Sequence, residues 1–180
     1  MKIINKKYVF YKKMVTIDEE TFYQIKAIRD FGTVKAGDIG GWIADEDCLS
    51  HDGDCWVEKD ACVHFGARVF DDAQVCENAV VYGGAMVFGK SCVRGRCMII
   101  GDAQIYDSAV IEGSASVFEN VKIFGQAYIG GDAEISGELS VCGNAVIMGL
   151  VTLKGKGVID ETVFVDDGIE FKHLPECWRV

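Results

Sequence analysis

The sequence predicts an all-β protein whose body is a three-sided parallel β-helix of about six coils. Three observations predict this fold. Residues 53–166 form nineteen consecutive six-residue repeats, the fifth position of every repeat is Val, Ile or Leu, and aromatic residues recur every eighteen residues at outward positions. A fixed short period over such a length is typical of stacked repeats.

Each repeat is interpreted as a short strand followed by a corner. The third and fifth positions are apolar, and the third is Ala in eleven repeats, whereas the fourth and sixth positions vary. This alternation is typical of a strand buried on one face. The first position is Gly in twelve repeats, and glycine readily adopts the left-handed backbone angles of a sharp corner. Because one such strand cannot bury its inner face alone, the coils must stack.

The outward positions predict three strands in each coil. Two series of residues recur every eighteen residues, which is three repeats: Phe70, Phe88, Tyr106 and Phe124 in one, and Tyr82, Ile100 and Phe118 in the other. A three-sided coil stacks each series, and cross-strand aromatic pairs contribute roughly 0.2–1 kcal/mol each. At a strand spacing of about 4.8 Å, six coils predict a prism about 30 Å long.

These two series are the interface candidates, because monomers seldom expose apolar strips of this size. The N-terminal segment, a second subunit or a foreign partner could cover them, or the stacked side chains could simply be tolerated on the surface. The third face is more polar and includes Glu58, Gln74, Cys92, Arg94 and Glu112. We expect charged substitutions at Phe88 or Tyr106 to disrupt an oligomer.

The two ends of the chain leave the six-residue period. Residues 1–52 are the predicted N-terminal cap, with β-rich runs at 8–11 and 22–28 that suggest a hairpin or a three-stranded lid. Residues 167–180 are a C-terminal tail or cap that could pack on the last coil, on a side face or on a neighbouring subunit. Such caps cover the unpaired backbone of an open stack.

The period over residues 53–166 resembles the left-handed parallel β-helix of hexapeptide-repeat proteins. The left-handed sense is what this resemblance implies, since crossovers between parallel strands are otherwise right-handed. Residues 25–32, 34–42 and 47–53 are also similar to the segment that precedes the repeats in uncharacterised hexapeptide-repeat proteins of phages, prophages and gut bacteria, some of them labelled acyltransferases. Their Gly, Trp and aliphatic residues are typical of turns and packing.

The resemblance also implies an alternative function as an enzyme, because many hexapeptide-repeat proteins are acyltransferases that use acetyl-CoA. In that family the active site lies between subunits of a trimer, with a His as general base and a loop extruded from the coils. No insertion interrupts residues 53–166, and the three histidines, His51, His64 and His173, lie outside the middle coils. His64, at an outward position, is a weak catalytic candidate, and a packed or surface His is the favoured interpretation.

Composition restricts the partners and the compartment. The net charge is −10, with sixteen Asp and Glu against eight Lys and Arg in residues 53–166, which disfavours direct binding to nucleic acid or an anionic membrane. Eight cysteines form no Cys-x-x-Cys pair, so neither a zinc nor a redox motif is predicted. With no signal peptide or membrane helix in the sequence, we expect a cytoplasmic protein with reduced thiols, in the host cytoplasm if it is phage-encoded.

These observations favour a non-catalytic β-helical binding or structural protein that is phage- or prophage-related. We expect a homo-oligomer, either a dimer or a trimer, with a phage or host protein as a possible further partner and with no cofactor or metal. One alternative is a CoA-dependent acyltransferase, for which acetyl-CoA would be the cofactor. Another is an acidic decoy that inhibits a host protein, since an acidic rod can mimic a polyanion.

Overall fold

The computed structural model describes residues 5–16, 19–160, 163–164 and 169–171, with side chains up to residue 160. Three strands precede the repeats: β1 (Tyr8–Val15), β2 (Thr21–Ala27) and β3 (Ile39–Ile43). A short 3-10 helix, Glu46–Cys48, follows them, and Asp45 caps it by accepting backbone hydrogen bonds. Among all the residues that the structure describes, no helix is long and apolar enough to cross a membrane.

Short strands then follow one another at the repeat period. The two-residue strands are β4 (Trp56–Val57), β5 (Cys62–Val63), β6 (Arg68–Val69), β7 (Gln74–Val75), β8 (Val80–Val81), β9 (Met86–Val87), β10 (Cys92–Val93), β11 (Met98–Ile99), β12 (Gln104–Ile105), β13 (Val110–Ile111), β14 (Ser116–Val117), β15 (Lys122–Ile123) and β16 (Tyr128–Ile129). The last strands described are β17 (Glu134–Val141), β18 (Val146–Met148), β19 (Val151–Ile159), β20 (Val163–Phe164) and β21 (Ile169–Phe171).

Each short strand from β7 to β14 pairs in parallel with the third strand before it and the third strand after it. Gln104 in β12, for example, lies in register with Met86 and with Lys122, each eighteen residues away. The result is a prism with three sides. We call them the hairpin face (β3, β5, β8, β11 and β14), the ladder face (β6, β9, β12 and β15) and the polar face (β4, β7, β10, β13 and β16). The predicted three-sided parallel β-helix is confirmed.

The interior is a column of aliphatic side chains from the fifth repeat position, with small residues at the corners. Ile99, Ile105 and Ile111, one from each face, are fully buried, and so is the corner residue Ala103. Burying one such aliphatic side chain contributes about 1.5–3 kcal/mol. Since every coil repeats this arrangement, the core runs without interruption through the stack.

The stack has about seven coils rather than six, because parallel pairing starts before the period does. β3 pairs with β5, and Trp42 lies in register with Cys62, twenty residues on, whereas Trp56 and Gln74 are eighteen apart. Leu49 pairs with Val69, again twenty residues on. The corner at 50–54 therefore contains two additional residues. They interrupt the six-residue period, so the first coil is not recognised as part of the repeat.

The predicted β-rich N-terminal segment forms a three-stranded antiparallel sheet whose third strand is also the first strand of the hairpin face. β1 pairs with β2, and β2 pairs with β3. The fully buried amine of Lys7 donates to the backbone oxygen of Gly53 at 3.1 Å, and the Tyr8 hydroxyl donates to that of Leu49 at 2.8 Å. These donors satisfy carbonyl groups at the open end of the first coil, as an end cap must.

The predicted C-terminal cap, 167–180, lies outside the described residues except for the backbone of β21. That strand pairs with β19, and Val151 lies in register with Ile169 at the eighteen-residue spacing. The parallel stacking therefore continues past the last repeat.

Candidate interaction faces

The four aromatic residues of the first outward series form a continuous stack on the ladder face. The ring centroids of Phe70 and Phe88 are 4.7 Å apart, and those of Phe88 and Tyr106 and of Tyr106 and Phe124 are 4.9 Å apart, with interplanar angles of 7°, 9° and 3°. The stacking expected from the eighteen-residue spacing is present. All four side chains are half-buried. Their role as an interface stays a prediction.

The stack decides which part of each ring a partner can reach. Phe88 and Tyr106 each have a neighbouring ring on both sides, so their π faces are covered and only their edges point outward. Ligands that stack on an aromatic face, such as the apolar face of a sugar, have no access to these two rings. The ladder face therefore exposes a narrow apolar ridge formed by the ring edges. This ridge is about 15 Å long, which corresponds to three strand spacings.

A shallow groove of about 320 Å³ lies at the N-terminal end of the ladder face. Its walls include Asp47 and Ser50 from the first coil and Arg68, Phe70 and Met86 from the ladder face. It exposes mixed polar and apolar atoms beside the first ring of the stack. The groove extends the ladder toward the N-terminal cap.

His64 is packed between two aromatic side chains on the hairpin face. Its ring makes edge contacts with Phe22 at 4.8 Å and with Tyr82 at 5.0 Å between centroids. Nδ1 lies 3.4 Å from a carboxylate oxygen of Glu20, but it has no hydrogen-bond partner. Burial lowers the pKa of His64 despite the nearby carboxylate. The lowered pKa favours the neutral ring, and its contacts with Phe22 and Tyr82 join the N-terminal hairpin to the coil.

The remaining predicted residues of this face follow in register above His64. Tyr82, Ile100 and Phe118 come one residue after β8, β11 and β14, which pair in parallel. Tyr82 is 45% exposed, and Ile100 and Phe118 are half-buried. Because an aliphatic side chain separates the two aromatic ones, this column lacks the continuous ring stack of the ladder face.

The other histidine described belongs to the N-terminal cap. His51 stacks on Tyr8 with 4.2 Å between centroids, and its Nε2 lies 2.9 Å from a carboxylate oxygen of Glu46. Its Nδ1 accepts from the backbone N–H of Lys7 at 3.3 Å. These contacts give His51 a structural role. His173 lies outside the described residues.

The polar face holds a connected group of charged and thiol side chains. Glu58, Cys76, Arg94 and Glu112 each follow a strand of this face and lie in register. Arg94 Nε donates to Glu112 at 2.7 Å, and the Tyr128 hydroxyl donates to the same carboxylate. Both contacts lower the pKa of Glu112, the Tyr128 hydrogen bond most strongly.

Two cysteines of this group were missed as a pair by the sequence analysis. Cys76 lies in register with Arg94, and Cys92 is two residues before Arg94, so the two cysteines are diagonal neighbours on adjacent strands. Each thiol shifts the pKa of the other, that of Cys76 upward and that of Cys92 downward. A search for Cys-x-x-Cys cannot find them. The sequence feature that predicts this pair is the spacing of sixteen residues between the two cysteines. Cys76 is the sixth residue of its repeat, and the spacing places it beside Cys92, the fourth residue of a repeat in the next coil.

A second groove, of about 360 Å³, lies at the N-terminal end of the polar face. Trp56, Glu58 and Gln74 form one wall, and Val34 and Asp38 from the N-terminal segment contribute to the other. Glu58 therefore borders both this groove and the thiol pair. Among the residues that the structure describes, no group of three or more His, Cys, Asp or Glu side chains could hold a metal ion.

Comparison with known proteins gives one short match to a curated sequence. No protein-family model matches the chain. A 46-residue segment, 26% of this chain, is 46% identical to the uncharacterized acetyltransferase YdcK of Escherichia coli (strain K12), and the match covers 14% of that protein's length. Together with the stacked parallel coils, this match fits the hexapeptide-repeat proteins.

Proposed function

We propose that the chain is a non-catalytic β-helical binding or structural protein that assembles with copies of itself through the ladder face. The observation that supports this proposal is the stack of Phe70, Phe88, Tyr106 and Phe124, whose ring edges form an apolar ridge. Apolar strips of this kind are favourable to bury between subunits. The assembly is a dimer or a trimer.

A second copy of the chain fits the ridge because its own ridge has the same spacing between rings. The rings repeat at 4.7–4.9 Å, which is set by the distance between coils. When two prisms lie side by side, ring edges of one can fit between those of the other along the whole ridge. A partner without stacked strands would match this spacing at only one or two rings.

The charge distribution also favours this face. The chain carries a net charge of −10, which opposes self-association in general. The side chains next to the rings on the ladder face are Arg68, Met86, Gln104 and Lys122, so none of these strand positions is acidic. Two ladder faces can therefore approach with less repulsion than the net charge suggests.

The local structure around His64 supports a non-catalytic role. A general base must lie within hydrogen-bond reach of the group it deprotonates. The imidazole instead packs edge-on against Phe22 and Tyr82, and its side chain is 23% exposed. Its contacts are those of a residue that holds the hairpin on the coil.

Substituting Phe88 by Lys tests the interface. The aliphatic stem of Lys can lie along the neighbouring rings while the amine stays in water, so we expect the coil to fold and the ridge to be interrupted. Wild type should have a mass by light scattering of two or three times the 19.7 kDa chain, and F88K should shift toward one chain. Asn78→Lys adds the same charge at an exposed corner between the polar and hairpin faces, and its mass should not change. A monomeric wild type, or an unchanged mass of F88K, contradicts the proposal.

A second candidate function, a CoA-dependent acyltransferase, is supported by the short match to YdcK. Thermal unfolding with acetyl-CoA separates the two functions, since a ligand at a hundred times its Kd stabilises the folded state by about 2.7 kcal/mol. We expect no shift at millimolar acetyl-CoA. A clear increase in Tm that is lost in His64→Ala would favour the enzyme.

The cellular setting is part of the same proposal. The similarity of the N-terminal segment to that of phage and prophage hexapeptide-repeat proteins supports a phage-related role. The cysteines that the structure describes are free thiols, which supports a reducing compartment such as the cytoplasm.

A further inference from the structure

The aromatic stack of the ladder face ends at Phe70, and the next side chain of that column is small. Leu49 bridges to Val69, and the backbone N–H of Ser50 donates to the Val69 oxygen at 2.9 Å. Ser50 therefore follows Leu49 as Phe70 follows Val69, and it occupies the first-coil position of the column that is aromatic in the following coils. A serine side chain is too short to cover the face of a benzene ring.

One face of the Phe70 ring is therefore open to a ligand. The other face stacks on Phe88, and among the residues that the structure describes no further ring stacks on Phe70. The groove of about 320 Å³ lies at this end of the stack and is bordered by both Phe70 and Ser50. Its volume is at the small end of the range for ligand sites, which suits a molecule with a single aromatic ring system.

Two side chains of opposite charge border the same groove. Arg68 precedes Phe70 by two residues on β6, Asp47 lies in the 3-10 helix, and both are exposed. Neither of them forms an ion pair within the described part of the chain, either with the other or with a third residue. A guanidinium group can bind a carboxylate through two parallel hydrogen bonds, and a carboxylate can bind an ammonium group.

We propose that this groove binds a free aromatic amino acid. The ring of the ligand stacks on the open face of Phe70 and extends the ladder by one step. Its α-carboxylate pairs with the guanidinium of Arg68, and its α-ammonium group pairs with the carboxylate of Asp47. The side chain of Met86 adds an apolar contact in the same groove.

The charge of the protein favours a zwitterion over an aromatic acid. The chain carries a net charge of −10, which repels an anionic ligand but has little effect on a molecule without net charge. An acid that lacks the ammonium group would also leave Asp47 unpaired beside its carboxylate. The groove is formed by one chain, so binding does not depend on assembly through the ladder face.

Ligand-observed NMR with L-phenylalanine and three analogues tests the proposal. We expect L-phenylalanine to bind wild type with a Kd on the order of 1 mM, since a ligand of this size gains roughly 0.3 kcal/mol per non-hydrogen atom. Phenylalaninamide, 3-phenylpropionate and L-cyclohexylalanine lack the carboxylate, the ammonium group and the aromatic ring respectively. At about pH 6, below the α-amino pKa, each should bind several-fold more weakly. Equal binding of all four, or no saturable binding of L-phenylalanine up to about 10 mM, would overturn the proposal.

Three variants and a matched control test the assigned residues. Phe70→Leu and Arg68→Gln should each weaken L-phenylalanine binding about tenfold, since one loses the stacking ring and the other the carboxylate partner. Arg68 is exposed, so R68Q keeps the test valid if F70L does not fold.

Asp47→Asn should remove the preference for L-phenylalanine over 3-phenylpropionate, a change that a purely structural role of Asp47 would not cause. The control, Arg96→Gln, makes the same charge change as R68Q at an exposed corner between β10 and β11, and it should bind like wild type. Binding to R68Q as tight as to R96Q, or an unchanged preference in D47N, would contradict the proposed site.

Discussion

Single residues at the corners determine the shape of each coil. The first repeat position adopts positive φ both where it is glycine and at Asp71, Glu77, Asp107 and Glu119. The acidic residues show that the left-handed angle itself is tolerated, and two of them offset its cost, because Asp71 and Asp107 accept a hydrogen bond from the backbone N–H of the next coil. Elsewhere the close approach of stacked corners favours glycine.

Gly95 is the corner where this close approach can be measured. A Cβ at Gly95, where φ is +87°, would lie 2.3 Å from the backbone oxygen of Gly113 in the next coil. Gly37 is the matched control, since it has φ of +101° but nothing within 4 Å of the position of a Cβ. Gly37→Ala should cost only the backbone strain, about 1–2 kcal/mol, and Gly95→Ala should cost clearly more in urea unfolding. Equal losses in the two variants would show that the corner contact does not constrain the stack.

The six-residue period predicts most of the strands of the coil, but it misses the first one. Strands β4 to β16 follow from the period alone, because each repeat contributes one buried aliphatic side chain and one corner. β3 belongs to the coil as well, with Trp42 and Ile43 equivalent to a fourth and a fifth position. The two additional residues at 50–54 interrupt the period, so a search for unbroken repeats starts one coil too late.

The candidate sites were predictable to different degrees for the same geometric reason. Stacking of Phe70 on Phe88 follows from a spacing of eighteen residues, which is one full coil. The Cys76–Cys92 contact depends on a diagonal of sixteen residues, and the packing of His64 on Phe22 joins the coil to a segment outside the period. Contacts along one column can be read from the period, whereas contacts across columns or with the cap require the structure.

At the scale of the whole molecule, the three faces of one uniform core differ in chemistry. The hairpin face is joined to the N-terminal sheet through His64, the polar face holds the thiol pair and its ion pair, and the ladder face presents the apolar ridge. Because the core is the same on all sides, the fold alone favours no face for assembly. The ridge and its non-acidic flanks distinguish the ladder face.

Hydroxyl-radical footprinting at several protein concentrations tests most directly which face assembles. Tyr106 lies on the ladder face and Tyr128 on the polar face, and both are half-buried in the single chain. We expect labelling of Phe88 and Tyr106 to fall as the concentration rises and the oligomer forms, with labelling of Tyr128 unchanged. Labelling of Tyr106 that is independent of concentration, or protection of Tyr128 instead, would contradict assembly through the ladder face.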